Sequence, residues 1–238
     1  MSSSRGSSPR VLVVQHLPHE HAGVLGEVLV TSGCTVRTCR AWTEPVPRDL
    51  TDVDAVVVLG GDMNTDEGKR WPHLGDVRAL LADAVASDVP VLALCLGAQL
   101  LAEATGGRVH HGTPEVGYIP IHRTPEGHVH PVIGAVPDGS RWFNAHGDQI
   151  TAPPGATLLA RSDDTPVHAF QVGRALGLQF HPEVDASAVA AYVETRGIAE
   201  YLEAAGWTGE RLLTEARRCN EAHRAAGRTL FEAWLATV

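Results

Sequence analysis

Val89-Pro90-Val91-Leu92-Ala93-Leu94-Cys95-Leu96-Gly97-Ala98-Gln99-Leu100-Leu101 is the stretch whose reading decides the fold. Val91 to Leu94 is an unbroken apolar run, the pattern of a strand covered on both faces of a parallel sheet. It stops at Cys95, and a helical pattern begins at once and runs from Gln99 to Ala104. A strand that turns straight into a helix exposes the residue at the turn and points the first free helical N–H groups at it. Those groups and the helix dipole favour a thiolate, so Cys95 is a candidate nucleophile. Gly97 leaves space for a substrate carbonyl, and the N–H of Leu96 can donate to an oxyanion formed there.

The same alternation extends outward on both sides. Arg10 to His16 is a valine-rich strand pattern, followed by helical spacing from about Glu20 to Thr31 that ends at Ser32-Gly33. Thr35 to Ala41 alternates as a second strand, and Ala55 to Leu59 forms a third, cut off by Gly60-Gly61. Trp71 to Ser87 has helical periodicity, opened by Pro72 and stopped before Pro90. Strands alternating with helices predict an α/β fold with an open, mostly parallel, doubly wound sheet. From Arg108 to Glu183 the texture changes to short alternating runs at Tyr118–His122, Arg141–Ala145, Thr157–Arg161, His168–Val172 and Ala175–Phe180. These predict an additional antiparallel section attached to the sheet. Helices return at Ala186–Thr195 and over roughly 209–236, where Leu212, Leu213, Ala216, Phe231 and Trp234 predict a packing face. No repeat or linker divides the chain, so one domain is expected over 10–238, behind a disordered lead-in at 1–9.

Composition narrows the partners. The formal charge of −9 and the lack of a dense Lys/Arg cluster argue against nucleic acid. No apolar run approaches the ~20 residues of a membrane span, and the N-terminus lacks the apolar core of a secretion signal. Cys34, Cys39, Cys95 and Cys219 match neither a redox pair nor a zinc ribbon, which predicts a reducing cytoplasm, with Cys34, Cys39 and Cys219 as small buried hydrophobes. No cofactor is expected. Gly61 to Lys69 approximates a phosphate-binding loop, but the spacing is wrong and Arg70 stands where Ser or Thr is needed. Asp62, Asn64 and Asp66 open like a calcium loop, yet Glu67 occupies the glycine position. His128 and His130 could share a strand face, but no third ligand is in register, so a solvated hairpin and no metal are expected.

Far downstream, Gln179-Phe180-His181-Pro182-Glu183 follows an apolar strand pattern. Period-2 alternation puts His181 and Glu183 on one face, where Glu183 can accept from one ring nitrogen and leave the other to take a thiol proton. The spacing alone is equally compatible with a surface His-Pro-Glu turn. Gly60-Gly61 lies at the end of another predicted strand, on the edge where open parallel sheets bind ligands, and can supply a second oxyanion donor. His146-Gly147-Asp148 has two readings, a substrate-orienting group near the pocket and a structural turn.

Leu59-Gly60-Gly61, Leu94-Cys95-Leu96-Gly97-Ala98-Gln99 and Gln179-Phe180-His181-Pro182-Glu183, in this order, resemble the class I (triad-type) glutamine amidotransferase family. The resemblance runs from about Val11 to Val184, and Ala145-His146-Gly147-Asp148 resembles its stand-alone, GMP-synthase-like branch. It implies the flavodoxin-like class I glutaminase fold. It also implies Cys95 as nucleophile, His181 as general base and Glu183 as its orienting partner. Gly61 and Leu96 would form the oxyanion hole, with Gly60, Gln99 and His146 at the substrate. The implied reaction is hydrolysis of the glutamine carboxamide through a γ-glutamyl thioester, with ammonia released, and with a separate synthetase or acceptor subunit as the candidate partner. The family usually has glycine two residues before the nucleophile, where this chain has Ala93. Two alternatives stand beside this reading: a γ-glutamyl peptidase acting on another small γ-glutamyl conjugate, and a non-catalytic binding or regulatory relative.

Overall fold

The computed structural model describes residues 8–195 and 198–238, so residues 1–7 of the expected lead-in lie outside the described residues. The first half of the chain is β1 (Arg10–Gln15), α1 (Gly23–Thr31), β2 (Thr35–Arg40), β3 (Ala55–Val58), α2 (His73–Ala86), β4 (Val91–Leu94) and α3 (Leu96–Ala104). β5 (Arg108–Arg123), α4 (Pro125–Val129), β6 (Ser140–Thr151), β7 (Thr157–Arg161), β8 (Ala169–Val172) and β9 (Ala175–Leu178) follow, and α5 (Ala186–Val193), α6 (Ile198–Ala204) and α7 (Gly209–Leu235) complete the order.

The strands form a nine-stranded sheet in the order β2-β1-β3-β4-β9-β8-β7-β5-β6. β2, β1, β3, β4 and β9 are parallel, and the remaining pairs are antiparallel. This is the open α/β sheet with an antiparallel section that the sequence predicts. Period-2 alternation explains its layers. Val11, Val13, Leu92 and Leu94 face one core with residues of α1 and α7, while Leu12, Val14, Val91 and Ala93 face another with residues of α2 and α3. Each large aliphatic or aromatic side chain so buried stabilises the fold by about 1.5–3 kcal/mol. β2 is an edge strand, and Cys39 is its one buried residue. Strand order reverses at β1, so the crevice beyond the carboxyl ends of β1, β3, β4 and β9 is where such a sheet binds ligands.

Several expectations change in detail. Tyr118–His122 and Arg141–Ala145 are parts of the two long strands β5 and β6, whose pairing shifts register between His111 and Glu115. His128 and His130 are not on a hairpin. Thr124 caps a short helix by accepting from Gly127 N, Pro125 starts it, and His130 Nδ1 accepts the N–H groups of Val132 and Ile133. Cys34 and Cys219 are half-buried rather than buried, lying at the margins of two cores. α6 has no counterpart in the sequence reading. No described helix is long and apolar enough to cross a membrane.

Candidate active site

β4 delivers Cys95 to the sheet edge, and the turn there is sharp. Cys95 has φ 47° and ψ −107°, a left-handed conformation that costs a non-glycine residue about 1–3 kcal/mol. The surroundings hold it. Cys95 N–H donates to the carbonyl of Leu178 at 2.8 Å, and the Cys95 carbonyl accepts from Gln99 N at 3.0 Å, starting α3. Helix and sheet come so close that a Cβ at Gly97 would stand 2.5 Å from the Val58 carbonyl oxygen. Ala93 is not among the positive-φ residues and pairs in register with Val58 and Gly177. Ala93 is thus a buried strand residue with an ordinary φ, and the positive φ of the turn falls on Cys95.

His181 follows β9 and is tied to β6, its N–H donating to the Phe143 carbonyl at 2.9 Å. Its Nδ1 lies 2.7 Å from Glu183 Oε1, with both side chains buried. A carboxylate can only accept, so this contact assigns Nδ1–H and leaves Nε2 for a second partner. Burial disfavours the charged ring, but the charges of Glu183 and Cys95 and hydrogen bonds to both outweigh it, so His181 is raised well above 6.5. The strand alternation expected here stops at Leu178, and the pair lies in a turn that is buried rather than at the surface.

Gly60 and Gly61 follow β3. A Cβ at Gly60 would stand 3.0 Å from His181 Cε1 and 3.6 Å from Cys95 Cβ. One at Gly61 would stand 2.8 Å from Leu96 Cδ2 and 3.2 Å from His16 Cβ. Gly60 thus packs beside Cys95 and His181, and Gly61 against the side chains of Leu96 and His16. Gln99 lines the pocket, but its amide donates to Gln179 Oε1 at 3.3 Å, and Gln179 Nε2 donates to Cys95 Sγ at 3.5 Å. Gln179 was not singled out from the sequence, although its alternation with His181 and Glu183 carried the signal.

These groups open into a pocket of about 420 Å³, walled also by Met63, Asn64, Phe143, Tyr192, Ile198 and Tyr201. Glu20 enters from the β1–α1 connection, and burial raises its pKa against the lowering influence of His181. His146 lines the pocket, yet its polar atoms turn inward. Nδ1 lies 3.0 Å from the Asp148 carbonyl and Nε2 3.3 Å from Glu115 Oε2. Glu115 also accepts from His168 Nε2 at 2.7 Å and from Ser162 Oγ at 2.6 Å. Burial raises Glu115, but these donors outweigh it and hold the carboxyl well below 4.5. By donor type Glu115, His146 and His168 could hold a metal ion, as could His19, Glu20 and Asp62 at the rim. The 2.7 Å contact is the length of an N–H···O bond, shorter than the ~3.3 Å expected between two ligands of a tetrahedral zinc with bonds of about 2.0–2.1 Å. A buried hydrogen-bond network accounts for the inner group. Glu115 and His168 have no spacing signal, because they meet only through the β5–β8 arrangement.

The family model for glutamine amidotransferase class-I matches residues 24–198. The glutamine amidotransferase-like protein YfeJ of Salmonella typhimurium is 30% identical over 191 residues, covering 78% of this chain and 80% of that protein. A glutamine-hydrolysing GMP synthase of Thermomicrobium roseum is 35% identical over 158 residues, 63% of this chain. This match spans only 28% of the length of that GMP synthase. A glutamine amidotransferase structure from Thermotoga maritima superposes with a TM-score of 0.85 at 28% identity, covering 95% of this chain and 98% of that one.

Proposed function

Because this chain belongs to the class-I glutamine amidotransferase family, we propose that it hydrolyses a γ-glutamyl amide, glutamine first, through a thioester on Cys95. The observation that carries the reading is the buried His181–Glu183 pair at 2.7 Å, sharing one pocket with a cysteine at a strained strand-to-helix turn. With His181 raised well above 6.5, its Nε2 holds the thiol proton before attack, and the sulfur then adds to the carboxamide carbon. The N–H groups of Gly61 and Leu96 stabilise the oxyanion. Collapse breaks the C–N bond, the imidazolium gives its proton to the departing ammonia, and a γ-glutamyl thioester remains. Water then adds, His181 takes its proton, and glutamate leaves as that proton returns to the thiolate. Glu183 keeps the ring in the Nδ1–H tautomer throughout. Gln99 acts on Cys95 through Gln179, and Gly60 leaves the substrate room beside the imidazole.

The acceptor for ammonia is proposed to be a separate synthetase subunit, supported by the similarity to part of a GMP synthase. Four free cysteines fit a reducing compartment. A second reading is left open by the pocket. Its ~420 Å³, with Met63 and Asn64 in the lining, lies within the ~300–1,000 Å³ of small-molecule sites in general, so γ-glutamyl conjugates other than glutamine are the alternative substrates.

Trapping the thioester by mass spectrometry with a panel of γ-glutamyl donors tests both readings. Glutamyl mass added at Cys95 from glutamine supports the first, and labelling by conjugates alone supports the second. Donor turnover that survives Cys95→Ser overturns the nucleophile, and no labelling by any donor leaves the regulatory relative as the reading.

A further inference from the structure

The His181–Glu183 segment is gripped from outside the residues matched by the family model, which end at 198. α7 lies beyond that limit, and Asn220, His223, Arg224 and Gly227 recur on one of its faces at the i, i+3, i+4, i+7 spacing. All four meet the chain between 181 and 186. His223, buried, has Nε2 at 3.1 Å from the His181 carbonyl oxygen. Gly227 packs so tightly that a Cβ there would stand 2.3 Å from the Pro182 carbonyl oxygen. Arg224 Nη1 bonds Asp185 Oδ2 at 2.9 Å, and Asn220 Oδ1 accepts from Ala186 N at 2.8 Å.

The ring state of His223 follows from its partners. Nε2 and Nδ1 both face carbonyl oxygens, His181 at 3.1 Å and Arg141 at 3.5 Å. A neutral imidazole has one N–H to give, and only the shorter contact has hydrogen-bond length. Burial keeps the ring neutral by lowering its pKa. His223 therefore donates Nε2–H to the peptide that carries the candidate base. With His181 N–H on Phe143 and the Glu183 carbonyl accepting from Val24 N at 3.0 Å, the segment is fixed by β6, α1 and α7 together.

We propose that this face of α7, with His223 at its centre, is a positioning element that sets His181 against Cys95. The inference rests on the reading of His181 as general base. A base must sit within about 2.6–3.2 Å of the proton it takes, and a misplacement of about 1 Å can cost on the order of 10²-fold in rate. Among the described residues no side chain of α7 lines the pocket, so their effect passes through the backbone of 181–183.

The test compares full-length His223→Phe, His223→Gln and Asn220→Ala with wild type. The readouts are thermal midpoint, kcat and KM on glutamine or γ-glutamyl-p-nitroanilide, and the pH profile of Cys95 alkylation by iodoacetamide, read by peptide mass spectrometry. His223→Phe should lower kcat by about tenfold to a hundredfold with KM within about twofold, and should displace the midpoint of the alkylation profile upward. His223→Gln, which keeps an N–H donor, should recover most of both. Asn220→Ala tests the grip without disturbing a buried ring and should lower kcat severalfold. Wild-type alkylation and kinetics retained in folded His223→Phe overturn the proposal, as does a loss that merely follows the unfolded fraction. If His223→Phe does not fold, unchanged kcat in Asn220→Ala overturns it. Activity surviving Cys95→Ser is a separate failure, of the nucleophile and not of the brace. Because alkylation needs no substrate, the brace is read even if neither amide is turned over.

Discussion

The two halves of the candidate site are built by different means. Cys95 is set by its own neighbours in sequence: β4 arrives, the chain turns through a positive φ, and α3 leaves within a few residues. The His181–Glu183 segment has no such frame. It follows a four-residue strand and is held by groups brought from α1, β6 and α7. One half stores strain locally to present a thiol, and the other depends on distant packing to stay in place. Substitutions at the turn should therefore act locally, whereas the pair should be sensitive to helices that never reach the pocket.

The largest expected effect breaks the first half. Cys95→Gly should abolish thioester formation and reduce turnover by on the order of 10³-fold or more. It should also raise stability by about 1 kcal/mol in a denaturant titration, because glycine relieves the positive φ. A destabilised Cys95→Gly would remove the strain from the account of the turn. Next, Glu183→Gln should reduce kcat by on the order of 10²–10⁴-fold through loss of the favoured tautomer, with substrate-free folding measured alongside. Gly97→Ala forces a methyl toward the Val58 carbonyl and should cost about 1–3 kcal/mol as overpacking, with activity falling as α3 shifts.

At neutral pH the smallest effect lies beneath the turn and emerges only as pH falls. His16, beneath Gly61, is buried with burial as the leading cause of a pKa lowered from 6.5 to about 3, and neither ring nitrogen has a hydrogen-bond partner among the described residues. Its neutral form is favoured on folding, so its stabilisation is present above 6.5 and is lost as pH falls toward about 3. His181 has the opposite sign: its raised pKa gives stability present below 6.5 and lost as pH rises through the folded value. His16→Leu should flatten the acid limb of urea stability by up to about 1.4 kcal/mol per pH unit. An unchanged acid limb would show that His16 does not titrate on unfolding.

The sheet was legible because buried parallel strands leave continuous apolar runs and the Cys95 turn joins two such patterns. The His181–Glu183 pairing was legible from its two-residue spacing, but by a different route than strand alternation: β9 ends at Leu178 and the pair meets in a turn. What the sequence hid is pairing at a distance. β5 and β6 meet as long strands because their partners, not their own short apolar runs, define them. Glu115 gathers His146, His168 and Ser162 from three later segments, and no local spacing announces that. His146 showed why residue type misleads: a histidine at the pocket wall turns Nδ1 to the Asp148 carbonyl and Nε2 toward Glu115.

The contact between His223 and the His181 carbonyl spans 42 residues of sequence, and this separation has a consequence for synthesis. On a ribosome, Cys95, His181 and Glu183 all emerge before α7 does. If α7 completes their alignment, a nascent chain carrying all three stays below its full reactivity until α7 docks, and the order in which the polypeptide is made sets when the site matures.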